Sequence, residues 1–208
     1  MFTHEFVDWI PIRETTVKSH PTPVCESQSL NSINHPTLNY KLSLDEGIKQ
    51  NLSTLQEETV ALICQAFKSN KAFLIGDATG MGKGRIIAAS LIELSQTHKA
   101  KGIWVSINKN LQKDAERDMS ALGDFHFGNL EENTDFYFTS YSVIRHNENL
   151  VKILDWIKDG PVILVLDECH ALRNSATLPH SLSVMSNLCN CNVLFSSATY
   201  ASCTKHLL

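Results

Sequence analysis

The run VILVL, from Val162 to Leu166, contains only apolar residues and is followed directly by two acids. A strand that is apolar on both of its faces is typical of a parallel sheet with helices packed on each side. From residue 55 onward, similar compact apolar runs alternate with segments whose apolar residues recur at helical spacing. Strands that alternate with helices form βαβ units, so the sequence predicts an α/β fold with a parallel sheet covered on both faces.

The predicted strands and helices follow from the spacing of apolar residues and from the glycines that end helices. The predicted strands cover residues 71–77, 101–107, 135–140, 161–168 and 191–199, and the predicted helices cover 55–67, 85–98, 110–123, 149–160 and 180–188. Open parallel sheets bind ligands beyond the carboxyl ends of their strands. We therefore expect the functional residues in the loops that follow the strands.

The first 45 residues lack this regularity, and four of the six prolines lie among the first 36 residues. We predict an irregular N-terminal arm over residues 1–45 and a single domain over residues 46–208. The arm either packs on that domain or on a neighbour that this sequence lacks, or it is a mobile N-terminus, and the sequence leaves these possibilities open.

Composition narrows the class of protein further. The chain has 208 residues, 43% of them apolar, which is enough to form one sizeable hydrophobic core. Its formal net charge is -4, so the protein as a whole lacks the positive charge typical of many nucleic-acid-binding proteins. No signal peptide pattern and no run of 18 apolar residues occurs, which predicts a soluble intracellular protein without a membrane segment. The six cysteines form no C-x-x-C framework, so we expect reduced thiols. The sequence does not distinguish between a nuclear and a cytoplasmic location.

The segment GDATGMGKGR, residues 76–85, joins a predicted strand to a predicted helix. Gly80, Gly82 and Gly84 would let successive backbone amides converge on a phosphate, and Lys83 could reach the outer phosphates. The alternative is an ordinary tight turn between strand and helix. Gly84 stands where a magnesium-binding serine or threonine is usual, and from the sequence we expect a threonine to be tolerated there.

Two further strand ends carry polar residues. Asp167 and Glu168 follow the apolar run, where one acid could hold magnesium and the other could polarise a water molecule. Ser197 and Thr199 lie in FSSAT, at the end of the last predicted strand, and could hydrogen-bond the acidic loop. The alternatives are an acidic helix cap for the first pair and local serine or threonine capping for the second.

In this order, the glycine-lysine loop, DECH and SSAT resemble the first RecA-like lobe of superfamily two helicases and translocases, which is a P-loop NTPase fold. The resemblance is narrower to the strawberry notch family, over roughly residues 50–205. It rests on LSTLQ, GDATGMGKGR, WVSINKNLQKDAERDMSALG, FTSYSVI, DECHALRN and SSATYAS. This family also has Gly-Lys-Gly-Arg at the loop.

The resemblance implies a role for each matching residue. Lys83 would bind the β- and γ-phosphates of ATP, Asp167 would hold Mg²⁺ and Glu168 would activate water. Nucleotide contacts are further implied for Gln56, which would contact adenine, and for Gly80, Met81, Gly82, Gly84 and Arg85. Coupling of nucleotide state to nucleic acid is implied for His170, Ser197 and Thr199. For Gln56 the alternative is a polar residue on an amphipathic helix.

The resemblance also implies a nucleic-acid surface, for which we expect DNA rather than RNA as the partner, although the sequence leaves the choice between them open. Ser106, Lys109, Thr139 and Arg145 occupy the matching positions and could contact the phosphate backbone independently of sequence. Lys113 and Arg117 lie in the matching segment SINKNLQKDAER and are further candidates for such contacts. The alternative for them is a solvated helix face, because residues 113–118 carry charges of both signs.

The predicted function is therefore that of an ATP-hydrolysing lobe of a nucleic-acid-dependent helicase or translocase, with roles in transcription or chromatin implied by the resemblance. Such motors need a second RecA-like lobe, and the chain ends nine residues after Thr199. We expect that lobe to come from elsewhere, and weak hydrolysis without it. The alternative is a non-catalytic module that binds a nucleotide or a protein partner. A P-loop kinase for small molecules is disfavoured, because no lid or acceptor segment is recognisable.

Overall fold

The computed structural model describes residues 5–12, 18–28, 32, 37–130, 132, 134–158, 160–174 and 191–199. Within these residues the central element is a five-stranded parallel sheet. Its strands are β3 (Phe73–Ile75), β4 (Lys101–Ser106), β5 (Phe136–Ser140), β6 (Val162–Asp167) and β7 (Cys191–Ser196). The spatial order is β3-β7-β6-β4-β5. The α/β RecA-like fold predicted from the sequence is thus confirmed.

The register of the sheet brings the functional loops to one edge. Ile75, at the end of β3, is paired with Ser196 at the end of β7, and Ser196 is paired in turn with Asp167 at the end of β6. On the other side of β6, Leu166 is paired with Val105, next to the end of β4. Because all these strands are parallel, the loops that follow them leave the sheet side by side.

Helices cover both faces of the sheet. They are α1 (Glu46–Lys49), α2 (Thr54–Lys68), α3 (Lys83–His98), α4 (Gln112–Ser120), α5 (Tyr141–Ile144) and α6 (Asn147–Ile157), with 3-10 turns at Lys109–Leu111 and Cys169–Asn174. Helices α1 to α4 contribute to one core cluster together with Ile163 and Val165 of β6. Helices α5 and α6 contribute to a second cluster together with Val162, Leu164 and Leu166. Residues 162–166 of β6 are all apolar because alternate residues of this strand enter two different cores.

The predicted elements from residue 55 onward match the observed ones, with boundaries that differ by a few residues. The helix predicted over residues 180–188 lies outside the described residues. The short helices α1 and α5 were not predicted, because each has only four residues and therefore carries little periodicity.

The N-terminal arm is more ordered than predicted. Strands β1 (Phe6–Asp8) and β2 (Cys25–Ser27) form an antiparallel pair. The arm packs on the domain, since the amide of Ile12 donates to Oε2 of Glu58 at 2.7 Å. The amide of Thr54 likewise donates to the carbonyl of Lys18 at 2.8 Å.

The domain core begins before the predicted boundary at residue 45. Leu42 and Leu44 are buried in the cluster beneath α2 and α3. The fully buried carboxylate of Glu93 on α3 accepts hydrogen bonds from the hydroxyl of Tyr40 at 3.0 Å and from the amides of Ser43 and Leu44 at 3.0 and 2.9 Å. An acid in the helix interior therefore anchors the segment before α1.

Candidate active site

The loop between β3 and α3 has the backbone that a phosphate cradle requires. Gly80 and Gly82 have φ angles of +87° and +79°, in the left-handed region that favours glycine. Gly82 is the N-cap of α3, and among the described residues no side chain caps this end of the helix. The first amides of α3 are thus available to an anion, as at other helix N-termini that bind phosphate.

Lys83 holds the loop together in this structure. Its Nζ donates to the carbonyls of Asp77 and Ala78 at 3.0 and 3.1 Å. Burial raises the pKa of the Asp77 carboxyl, and the charge of Lys83 partly opposes that shift. Oδ2 of Asp77 is buried and has no hydrogen-bond partner in the described part of the chain. The ammonium group of Lys83 can replace its hydrogen bonds to these two carbonyls with hydrogen bonds to phosphate oxygens. The loop therefore fits a nucleotide.

Gln56 lies directly over the loop. Its Oε1 accepts from the backbone amide of Ser53 at 2.9 Å, which forms a capping box at the start of α2, and its Nε2 donates to the carbonyl of Met81 at 3.3 Å. A β-carbon at Gly82 would overlap Nε2 of Gln56. The Ser-x-x-Gln spacing is a sequence signal for the cap. The contact with Met81 gives Gln56 a role in holding the loop as well as its predicted contact with adenine.

A threonine at residue 84 would have to displace the carboxylate of Asp118, so its expected tolerance stays a prediction that depends on this movement. A β-carbon at residue 84 would overlap Oδ2 of Asp118 and lie 3.2 Å from its Cγ. Arg85, predicted as a nucleotide ligand, has its Nη2 3.6 Å from Oδ1 of Asp118 and donates from Nη1 to the carbonyl of Asn51 at 3.1 Å. In this structure a carboxylate from α4 occupies the space beside residue 84, and any side chain at that position would have to move it.

The acidic loop begins at the end of β6. Oδ2 of Asp167 accepts from the hydroxyl of Ser106 at 3.2 Å, and the carbonyl of Asp167 accepts from the hydroxyl of Tyr141 at 2.8 Å. Burial raises the pKa of Tyr141, and the nearby Cys169 and Asp167 raise it further, so this hydroxyl remains a donor. Glu168 has a φ angle of +50°, which is uncommon for a residue with a side chain and typical of functional sites.

The acidic loop and the hydroxyl loop are in direct contact. Nδ1 of His170 lies 3.1 Å from Oε2 of Glu168 and 3.1 Å from Oγ of Ser197. The hydroxyl of Ser197 accepts from the amide of Thr199 at 3.1 Å, and the amide of Ser197 donates to the carbonyl of Ile75 at 3.1 Å. A chain of contacts therefore runs from Glu168 to the end of the strand that precedes the glycine loop.

The four residues predicted to contact nucleic acid separate into two pairs. Lys109 and Arg145 are exposed in the loops after β4 and β5. The side chains of Ser106 and Thr139 are buried, with 0% and 1% of their surface exposed. Burial argues against direct contact for this second pair, because neither hydroxyl reaches the surface. Ser106 instead orients Asp167.

A divalent cation would rely on few protein ligands. Within the described residues, no group of three or more His, Cys, Asp and Glu side chains could hold a metal ion. Mg²⁺ usually binds through one or two carboxylates, water molecules and the phosphates of the substrate. The carboxylate of Asp167 lies at the carboxyl end of β6, one strand away from the strand that leads into the glycine loop, and fits that pattern.

Comparison with known proteins agrees with this geometry. The family model described as "P-loop containing NTP hydrolase pore-1" matches residues 19–208. The chain belongs to this family. The match begins at residue 19, within the N-terminal arm.

Among curated proteins, this P-loop family member is similar to strawberry notch proteins, and the resemblance inferred from the sequence motifs is confirmed. It is 29% identical to the mouse protein strawberry notch homolog 2 over 98% of this chain, and 30% identical to the human homolog 2 over 99%. It is also 30% identical to the Arabidopsis thaliana protein FORGETTER 1 over 81% of the chain. The chain spans only 17%, 17% and 15% of the lengths of these relatives.

Solved structures support the fold alone. A crystal structure of the DUF1998 helicase MrfA bound to DNA matches 79% of this chain and 28% of its own length, with a TM-score of 0.59 and 15% identity. The structure of the same helicase with DNA and AMPPNP matches 97% of this chain, again with a TM-score of 0.59.

In the described part of this chain, no helix is long and apolar enough to cross a membrane.

Proposed function

We propose that this chain is the ATP-binding and ATP-hydrolysing lobe of a nucleic-acid-dependent helicase or translocase. The observation that carries the proposal is the contact chain from Glu168 through His170 and Ser197 to Ile75. It links an acidic loop to the base of a glycine-lysine loop across one intervening strand, β7. A simple helix cap or a tight turn does not require that link.

The roles of the residues follow from their positions. The amides around Gly80 and Gly82 and the ammonium of Lys83 would bind the phosphates of ATP, and Asp167 would hold Mg²⁺. The metal ion, when bound, neutralises charge on the phosphates and orients them. Glu168 would accept a proton from the water molecule that attacks the γ-phosphate. Ser106 and Tyr141 keep the Asp167 segment in place for this task.

Nucleic acid would bind at the same edge of the sheet. Lys109 and Arg145 are exposed there and are suited to contacts with phosphates, which any sequence provides. The crystal structures of MrfA contain DNA, which supports DNA as the first nucleic acid to test. A second RecA-like lobe, in the same chain or another, would complete the motor.

Two substitutions test the proposal, and the first is made in the 208-residue chain, with MgATP binding measured by titration calorimetry. Lys83→Ala is expected to weaken MgATP binding at least about tenfold, because a charge-assisted phosphate contact is lost. The exposed Lys113→Ala is the matched control and is expected to leave affinity unchanged. Equal affinity of Lys83→Ala and the unsubstituted chain would refute the phosphate-binding role.

Glu168→Gln is expected to retain MgATP binding and to lower hydrolysis about a hundredfold, because the general base is lost. This comparison requires a protein that also carries the second lobe, since we expect weak turnover without it. Hydrolysis that stays below detection in that longer protein, with tight MgATP binding, would favour the alternative of a non-catalytic nucleotide-binding module.

A further inference from the structure

Asp118 lies on α4, yet its carboxylate lies against the first turn of α3. It occupies the space that a side chain at residue 84 would fill. The neighbouring charged residues of α4 are solvated, since the side chains of Asp114 and Arg117 are 58% and 67% exposed, whereas that of Asp118 is 17% exposed. Burial raises the pKa of Asp118, and the charges of Arg85 and Arg117 oppose the shift. Asp118 thus differs from the solvated face that its own helix presents.

Arg85 connects this acid to a different part of the chain. Its Nη2 lies 3.6 Å from Oδ1 of Asp118, while its Nη1 donates to the carbonyl of Asn51 at 3.1 Å. The planar guanidinium can bridge two such acceptors because its donors point in fixed, different directions. Arg85 therefore links α4 and the start of α3 to the segment that precedes α2.

That segment leads to the glycine loop. Asn51 lies two residues before Ser53, the N-cap of α2, and the capping box fixes the side chain of Gln56. Gln56 then donates to the carbonyl of Met81 and fills the space above Gly82. Contacts therefore reach the loop from two sides, Gln56 at Met81 and Gly82, and Asp118 at Gly84.

We propose that Asp118 is a positioning residue for the phosphate loop. Its carboxylate orients Arg85, and Arg85 holds the Asn51 segment so that Gln56 supports the loop in its binding conformation. An unpaired acid at this place would repel the phosphates, but Arg85 and Arg117 neutralise it. The proposal rests on the function proposed above, because it assumes that the loop binds ATP.

The test compares Asp118→Asn, which keeps the shape and removes the charge, with Asp114→Asn, an exposed acid that lies 2.9 Å from the same Arg117. MgATP affinity of the 208-residue chain is measured by titration calorimetry. Asp118→Asn is expected to raise Kd about tenfold, and Asp114→Asn to leave Kd within about twofold. Arg85→Gln is expected to have the effect of Asp118→Asn, and the double variant no more than either single one, because the two act through one link. Equal Kd for Asp118→Asn and the unsubstituted chain, or additive effects, would overturn the proposal.

Hydrogen exchange separates this proposal from the proposed function, because it needs no nucleotide. Peptides that cover residues 51–56 and 80–85 are expected to exchange faster in Asp118→Asn than in Asp114→Asn. Failure of the unsubstituted chain to bind MgATP would refute the proposed function. Unchanged exchange in both peptides would overturn the positioning role. Should Asp118→Asn not fold, Arg85→Lys keeps the cation but loses the bridging geometry, and the same two readouts apply to it.

Discussion

The two left-handed glycines of the phosphate loop provide a matched pair of substitutions. In Gly82→Ala, the alanine has to adopt a left-handed backbone conformation, and its β-carbon would overlap Nε2 of Gln56. Gly80 has a similar φ angle, but a β-carbon there would meet no atom within 4 Å. Gly80→Ala therefore reports the backbone cost alone, and the difference between the two variants reports the contact with Gln56.

The magnitudes follow from the two contributions. The left-handed conformation costs a residue with a side chain about 1–2 kcal/mol. Displacing Gln56 breaks its hydrogen bond to Met81, which is worth about 1 kcal/mol. We expect Gly82→Ala to lower the free energy of unfolding by about 2–3 kcal/mol and Gly80→Ala by about 1–2 kcal/mol. In a domain of this size, the extra contribution corresponds to a Tm lower by about 2–4 °C.

Urea denaturation followed by circular dichroism measures both values, and a double-mutant cycle with Gln56→Ala assigns the difference. Coupling of about 1 kcal/mol is expected between residues 56 and 82, because the clash disappears when the amide is removed. Equal destabilisation of the Gly80 and Gly82 variants, or equal coupling of both to residue 56, would refute the reasoning.

Three further predictions follow from buried and bridging groups. Glu93→Ala is expected to lower the free energy of unfolding by about 3–5 kcal/mol, because the buried hydrogen-bond donors that Glu93 satisfies lose their partner. Glu46→Ala is the control, since the side chain of Glu46 is 77% exposed. Equal denaturation midpoints for the two variants would contradict the anchoring role of Glu93. Asp77→Asn is expected to raise Tm at pH 7. Burial raises the pKa of Asp77 in the folded state, so the stability of the unsubstituted chain falls as pH rises through that pKa. The gain in Tm from Asp77→Asn should therefore vanish below about pH 3.9, where the carboxyl is protonated in both states. A gain in Tm that is independent of pH would contradict this reasoning. His170→Ala is expected to lower the stimulation of ATP hydrolysis by DNA more than the affinity for MgATP, because it interrupts the link between Glu168 and Ser197. Steady-state rates of hydrolysis with and without DNA measure this stimulation. Stimulation equal to that of the unsubstituted protein would contradict the role of the link.

Much of the candidate site could be predicted from the sequence because its signals are local. The glycines and lysine of residues 80–84 and the acids after β6 are each contained in a few consecutive residues, whereas the capping box of Gln56 was not predicted although its Ser-x-x-Gln spacing is also local. Ser106 and Thr139 illustrate the limit of such signals. Both follow apolar strand residues and could have been exposed, but the burial of a strand end depends on which elements cover it, and those elements are distant in sequence.

The sequence by itself determined the alternation of strands and helices, since the periods of 2 and 3.6 residues are written into consecutive positions. It also determined that β6 is covered on both faces and that a glycine-lysine segment and an acidic segment each follow a strand. The tertiary structure alone decided the strand order, in which β7 lies between β3 and β6. It also decided that Asp118 lies against Gly84 and that Arg85 reaches Asn51, 34 residues away. Contacts between distant residues depend on how whole elements pack, and the spacing of neighbouring side chains does not specify that packing.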